Sequence, residues 1–399
     1  MRRVAVFTAT RAEYGLLRPV IKSIKNSNRL DLSLIVAGAH LVPGQGLTVQ
    51  EILDDGFTPD CLIDNVLFSD SPDALVKSVG LGLIEIGGYF TSHPADIILL
   101  LGDRYELFIP LVAALMHRVP VAHLCGGETT EGALDEQVRH AITKMAHLHF
   151  PSAFEYGRCL RQMGEEAWRI HVVGSPVVEN IRCGNVMGIR DINAKFGFNP
   201  ELPTLLITYH PETIAKEKES IGQIKSLIAA LKEFSEYQQV ITHPGIEVGY
   251  LEVVKVWEEY AAVNPRVKLF NNLGSRGYLG VMKNAAAVVG NSSSGIIEAP
   301  SFKVPTVNVG DRQKGRLRAE SVIDVSCRKD AIVAGLRRAL HEEDFRSHLK
   351  ETKNPYDPYG DGKVSERVIS VLESVSLDRR LLNKRLDFPS PGEEAYLKC

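Results

Sequence analysis

The sequence predicts an α/β protein made of two parallel-sheet halves that face each other across a central cleft. Three observations predict it. The chain has 399 residues, more than one ordinary hydrophobic core accommodates. Short, continuous apolar runs alternate with stretches whose apolar residues recur at helical spacing, as strands and crossover helices do. The alternation stops and restarts near residue 175.

"VAVFTAT" reads as a buried opening strand, "EYGLLRPVIKSIKNS" as the helix after it and "LDLSLIVAG" as the next strand. "ADIILLLGD" has the unbroken apolar character of a central strand covered on both faces. The helix "ELFIPLVAALMHR" and the strand "PVAHLCGG" follow. The second half brings "LPTLLITYHP", a long helix through "IGQIKSLIAALKEFSEY", then "QVITHPG", "RVKLFNNL", "AAAVVGNSSSG" and "VPTVNVG". The turn-rich "NPYDPYGDGK" precedes a helix, "VSERVISVLESV", placed to cross back to the first half, and a polar tail runs from about Asp378. The expected domains are 1–175, 176–360 and a returning helix with tail, 361–399.

The formal net charge is −3 and no polybasic stretch tracks a nucleic-acid backbone, so no nucleic-acid partner is expected. After Arg2 and Arg3 the apolar run "VAVF" stops at four residues, far short of a signal-peptide core or a membrane span. A cytoplasmic protein with no membrane partner is the expectation. Six cysteines without C-x-x-C spacing argue against a zinc site or a disulfide framework and for reduced thiols.

In doubly wound sheets ligands bind beyond the carboxyl ends of the strands. Four loops there carry chemistry: "TATRAEYG" with Arg11 and Glu13, "GDRYE" with Asp103, Arg104 and Glu106, "YHPE" with His210, and "GNSSSGIIE" with Asn291, Ser292, Ser293, Ser294 and Glu298. The serine loop ends a strand where a helix begins, a pattern that fits a phosphate site and an ordinary serine cap alike. Glu298, a turn further on, suits ribose hydroxyls. "GDRQKGR" lacks the Lys-Ser or Lys-Thr of a Walker motif; its Arg312 is either an anion partner or a solvated loop arginine. No G-x-G-x-x-G follows a strand, against a nicotinamide or flavin enzyme. Arg11, Arg104, His210 and the serine loop instead suit a diphosphate. Asp103 is either a helix cap or, with Glu128 and Asp135 in loops at the same sheet edge, part of a carboxylate cluster for proton transfer. His123, His140, His147 and His149 lack metal-ligand spacing and read as hydrogen-bonding residues; no metal is expected.

"TATRAEYGLL", "LLLGDRYE", "VPVAHLCGGETTEGALDEQVRHAITKMAHLHF", "VVGSP", "GNSSSGIIEAP", "VNVGDRQKGR" and "DPYGDGK" together resemble the hydrolysing UDP-N-acetylglucosamine 2-epimerases of sialic acid biosynthesis, in order and over nearly the whole chain. The non-hydrolysing relatives carry a loop closer to "HVEAGLRT", absent here. The resemblance implies two Rossmann-like domains of the glycosyltransferase B type, with the nucleotide mostly on the second, a homodimer and no separate cofactor. It implies anti elimination of UDP from UDP-N-acetylglucosamine to an N-acetylglucal, then hydration to N-acetylmannosamine. Arg11, Arg104, His210, Ser292, Ser293 and Arg312 match positions serving the diphosphate, and Glu298 the ribose. Asp103 and Asp135 match family acids, with Glu128 and His210 joining the catalytic set. Some relatives carry Glu before the Gly-Gly-Glu where this chain has Cys125; either Glu128 covers that role or Cys125 lines the pocket. Rival expectations are a 2-epimerase of a UDP- or GDP-linked 2,4-diacetamido-trideoxy sugar, a non-hydrolysing epimerase or glycosyltransferase of the same fold, and a non-catalytic sugar-nucleotide sensor.

Overall fold

The structure, a computed structural model, describes residues 1–389 apart from 68, 70, 132, 133, 185, 200, 211–216 and 245–249. It divides into two compact units. The first is Met1–Glu128, Asp135–Glu179 and the chain from Tyr356 onward; the second is Thr129–Leu134 with Asn180–Pro355.

The first unit contains β1 (Arg2–Thr8), β2 (Leu30–Ala37), β3 (Cys61–Ile63), β4 (Ile97–Leu101), β5 (Val121–Leu124) and β6 (Leu148–Phe150). They form one parallel sheet in the order β3-β2-β1-β4-β5-β6. All five residues of β4 are buried, as its sequence requires of a strand with helices on both faces. The helix Arg11–Asn26 starts at a capping box in which Thr10 and Glu13 satisfy each other's backbone N–H groups, and it buries Tyr14, Leu17, Val20, Ile21 and Ile24.

The helix Val364–Ser374 buries Val364, Val368 and Leu372 in the same core, so the end of the chain does cross back. Its entry is fixed by the Glu179 carboxylate, which accepts the Ser365 N–H at 2.7 Å and its hydroxyl. Beyond it, the buried Arg169 guanidinium donates to the carbonyls of Arg380, Leu381 and Asn383. Glu165, fully buried, takes Lys384 Nζ at 2.6 Å and Lys144 Nζ at 2.9 Å. The tail expected from Asp378 is therefore tied down as far as Asp387, whose backbone N–H reaches the Gly164 carbonyl.

Among the described residues one helix, Pro72–Ser92, is long and apolar enough to cross a membrane by length and composition. In the fold it buries Ile86, Tyr89 and Phe90 in the sheet core.

The second unit contains β7 (Thr204–Thr208), β8 (Gln238–Thr242), β9 (Val267–Phe270), β10 (Ala287–Gly290), β11 (Thr306–Val309) and β12 (Val322–Val325), again all parallel. The order is β12-β11-β10-β7-β8-β9. Read from the other edge, this is third-second-first-fourth-fifth-sixth, the same doubly wound order as the first sheet. Trp257, Leu205, Ile207 and Leu336 are fully buried in its core. Each sheet thus has its switch point at its centre, between β1 and β4 in the first unit and between β7 and β10 in the second.

Candidate active site

At the switch point of the second unit, β7 and β10 run side by side until Gly290 opposes Thr208. Gly290 has φ +131°, and a Cβ there would lie 2.0 Å from the Thr208 carbonyl oxygen, so only glycine lets the strands end this close together. Past the strands, the buried Asn291 side chain brackets His210: its Oδ1 accepts the His210 N–H at 2.7 Å and its Nδ2 donates to the His210 carbonyl at 2.8 Å. Arg312 and Gln313, both buried, donate to the Asn291 carbonyl. Arg312 is accordingly part of the packed loop and not a solvated arginine.

Ser294 Oγ lies 2.6 Å from the Tyr278 hydroxyl and 3.0 Å from Ser292 Oγ, and Tyr278 reaches Thr208 at 3.2 Å. Burial raises the Tyr278 phenol to about 12, so it stays a hydroxyl. The helix expected after the serines is a single turn, Ser294–Ile297, and Ser293 caps it without a side-chain hydrogen bond. The serine cap is not realised, and four residues carry little dipole; hydroxyls and backbone N–H groups are what this loop presents. Glu298 closes the turn. Burial raises its carboxyl to about 7, partly offset by its own N–H and by Arg316, and its buried Oε2 has no hydrogen-bond partner among the described residues.

The first unit's switch point carries the other two loops. Arg11 is the first residue of its helix and pairs with Glu51 at 2.6 Å. Arg104 Nη2 lies 2.8 Å from Glu106 Oε1. Glu13 Oε2 caps the β1 end through the N–H groups of Ala9 at 2.8 Å and Thr10 at 3.1 Å. Burial, then the charge of Glu106, raises the Glu13 carboxyl to about 7 against the pull of Arg104 and those N–H groups.

Asp103 follows Gly102, whose φ is +91°. It caps no helix: the short turn Tyr105–Leu107 is capped by Arg104 without a side-chain bond. Its carboxylate instead meets the guanidinium of Arg139, which is wholly buried, on the helix Asp135–Met145. The same guanidinium donates to the Glu128 carbonyl at 2.8 Å and to the Glu136 carboxylate at 2.6 Å. Asp135, expected in a loop, opens that helix and shares a face with Arg139 four residues later. Glu128 is 4% exposed and its carboxylate accepts the Ser152 hydroxyl at 2.6 Å.

The turn leading to Glu128 is built on backbone constraints. Cys125 has φ +62°, unusual for a residue with a side chain, and its N–H bonds the Phe150 carbonyl. A Cβ on Gly126 would meet His123 Nδ1 at 2.8 Å, and one on Gly127, with φ +77°, the Tyr156 carbonyl oxygen at 2.6 Å.

The four histidines of this region all hydrogen-bond within the unit. His123 Nε2 contacts the Gly102 carbonyl at 2.7 Å, holding the loop that carries Asp103, and His140 Nε2 contacts Glu136. His147 Nδ1 accepts the Val121 N–H, and His149 Nε2 contacts Glu165 at 2.9 Å. Burial lowers His123, His147 and His149 to about 4 each, so at neutral pH His149 donates to Glu165 as a neutral imidazole.

Asn291 is named with its loop but its hold on His210 is not legible in the sequence, and Arg139 and Tyr278 are not among the expected site residues. Arg139 had a signal: "DEQVRH" places it on one helical face with Asp135 and a turn from Glu136. Tyr278 had none, being remote in sequence from the serines it meets.

Two doubly wound units, one with a hydroxyl- and N–H-rich switch point and the other with clustered carboxylates, define the class: a glycosyltransferase B type fold. The solved UDP-GlcNAc 2-epimerase from Neisseria meningitidis bound to UDP-GlcNAc has this fold, with a TM-score of 0.79 over 93% of this chain and 99% of that one at 18% identity. The sequence pattern of the UDP-N-acetylglucosamine 2-epimerase family matches residues 22–373. The hydrolysing GDP/UDP-N,N'-diacetylbacillosamine 2-epimerase of Campylobacter jejuni is 39% identical over 324 residues, 81% of this chain and 84% of its own. The hydrolysing UDP-N,N'-diacetylbacillosamine 2-epimerase of Legionella pneumophila is 37% identical over 386 residues, 96% and 99% of the two chains. The chain belongs to the UDP-N-acetylglucosamine 2-epimerase family, in its hydrolysing branch.

Proposed function

We propose that the chain releases a free 2-epimerised sugar from a nucleotide-linked 2,4-diacetamido-trideoxyhexose of the N,N'-diacetylbacillosamine kind. The sequence resemblance by itself implies UDP-N-acetylglucosamine as the substrate, with this sugar as its rival. The names and identities of the Campylobacter and Legionella relatives favour reversing that order. The observation that supports the chemistry is the segregation of groups: in one unit Arg139 holds the Asp103 carboxylate and the Glu128 backbone, with Asp135 on the same helix face, and in the other Asn291 holds His210 and accepts Arg312 just before Ser292 and Ser293 in the chain.

In this reading the second set holds the diphosphate, aided by Arg11 and Arg104, and takes up the negative charge that develops as the C1–O bond breaks. Glu298 accepts a ribose hydroxyl. A carboxylate removes the C2 proton, the C2–H pair forms the C1=C2 bond, and the nucleoside diphosphate leaves with the C1–O pair. Water then adds at C1 as a proton returns to the opposite face of C2. Both steps are redox-neutral and need no further cofactor.

The test is proton NMR in heavy water with UDP- and GDP-N,N'-diacetylbacillosamine and with UDP-N-acetylglucosamine. The expected product is the free 2-epimer carrying deuterium at C2, with the nucleoside diphosphate, from a diacetamido donor. Turnover of UDP-N-acetylglucosamine alone restores the simpler sugar as substrate. An intact epimerised nucleotide sugar contradicts hydrolysis, and three unchanged substrates reject the proposal.

A further inference from the structure

Arg139 ties together three separate pieces of the first unit. It grips the Asp103 side chain beyond β4, the Glu128 carbonyl beyond β5 and Glu136 in the first turn of its own helix. The side chain is wholly inaccessible to solvent, while Asp103 keeps 23% of its side-chain surface exposed. A buried cation facing an anion that opens to solvent orients the anion without occupying the space a substrate needs. A guanidinium is suited to this because its planar fork fixes direction as well as charge.

Resting on the epimerase reading above, we propose that Arg139 is the positioning residue of the reaction: it fixes the Asp103 carboxylate as the proton acceptor for C2. In that step the C2 proton moves to an Asp103 oxygen, the C2–H pair becomes the C1=C2 bond, and the diphosphate departs with the C1–O pair. Glu128 and Asp135 are left to supply the proton that returns. Glu136 shares Arg139 and is itself met by His140 at 3.1 Å, and His123 from β5 feels both Asp103 and Arg139. Held neutral by burial, His123 adds no competing charge at neutral pH.

The test compares wild type, Arg139→Gln and Arg139→Lys, with folding followed by near-ultraviolet circular dichroism. Arg139→Gln lowers kcat about 100-fold or more with KM within about threefold, because the interaction serves the reacting step and not binding. The acid limb of kcat/KM moves up by about one pH unit as the carboxylate loses its cation. Arg139→Lys keeps the charge and loses the fork: kcat falls at least about tenfold while the acid limb stays in place. Equal losses in kcat and KM with an unmoved acid limb in Arg139→Gln, or wild-type kinetics in Arg139→Lys, overturn the proposal; the second arm serves if Arg139→Gln does not fold.

A readout independent of turnover separates this proposal from the epimerase reading. In protein carrying 13C at aspartate carboxyls, the Asp103 signal is assigned by its loss in Asp103→Asn. It stays in the ionised position to a lower pH in wild type than in Arg139→Gln. Coincident titrations in the two proteins overturn the role of Arg139 even if the enzyme turns over a sugar nucleotide. If no sugar nucleotide is turned over, separated titrations still uphold Arg139's hold on Asp103, and only the substrate reading falls.

Discussion

Asn291 offers a sharp test of how the second switch point is held. Its side chain is fully buried and makes two neutral hydrogen bonds to one residue, donating to the His210 carbonyl and accepting the His210 N–H. Replacing it by alanine removes both. At about 1 kcal/mol net for each bond, with some further loss for the cavity, Asn291→Ala destabilises the unit by about 2–3 kcal/mol. Asn291→Asp is nearly isosteric and keeps the bond from the His210 N–H. It also sets a buried anionic oxygen against the His210 carbonyl, at a cost of about 3–5 kcal/mol. Because a protonated carboxyl can donate where Nδ2 did, the gap between Asn291→Asp and wild type narrows as the pH is lowered. Urea unfolding of the three proteins at pH 7.5 and pH 5.5 measures all of this. The reasoning is refuted if Asn291→Ala lies within about 0.5 kcal/mol of wild type, or if the aspartate variant shows the same gap at both pH values.

Three further outcomes are expected. Gly127→Ala drives a methyl group to 2.6 Å from the Tyr156 carbonyl at a positive φ, so it costs roughly 2–5 kcal/mol and reduces the soluble yield, with the denaturation midpoint as the check. His40, His123, His147 and His149 are each lowered by burial from 6.5 to about 4, so their neutral forms belong to the folded state. Their contribution is whole above pH 6.5 and is lost as the pH falls towards 4, at about 1 kcal/mol per pH unit for each group; urea midpoints that hold steady between pH 7 and 4.5 would contradict this. Lys384→Met takes from Glu165 its 2.6 Å partner and from the Thr143 and Lys144 carbonyls their donor, so a loss of about 3 kcal/mol should appear as a lower Tm.

Much of this was legible in the chain because parallel strands buried on both faces have little freedom in composition. β4 reads "IILLL" and can hardly be anything else. The strands overlooked lie at the sheet edges: β3 and β6 have three residues each, too few to show a period, and β12 breaks its apolar run with Asp324. The four loops chosen as chemical are the ones beside the two switch points, since that choice rests on chain direction and residue type alone. What could not be read was orientation. Nothing in "GDRYE" distinguishes a capping aspartate from one held by a guanidinium 36 residues away. Nor does "NSSSG" reveal that its helix ends after one turn, because that depends on Pro300 and the packing that follows.

The first unit is made from both ends of the chain, and this sets the order in which it can be completed during synthesis. The apolar face of Arg11–Asn26 is covered by Val364, Val368 and Leu372, residues joined to it only after the whole second unit has been made. At about 5–20 residues per second, that face waits roughly 20–70 s on the ribosome for its cover. The second unit, continuous but for Thr129–Leu134, can close in the meantime. Nascent chains stalled before residue 364 would therefore present the uncovered apolar side of that helix while the second unit is already complete.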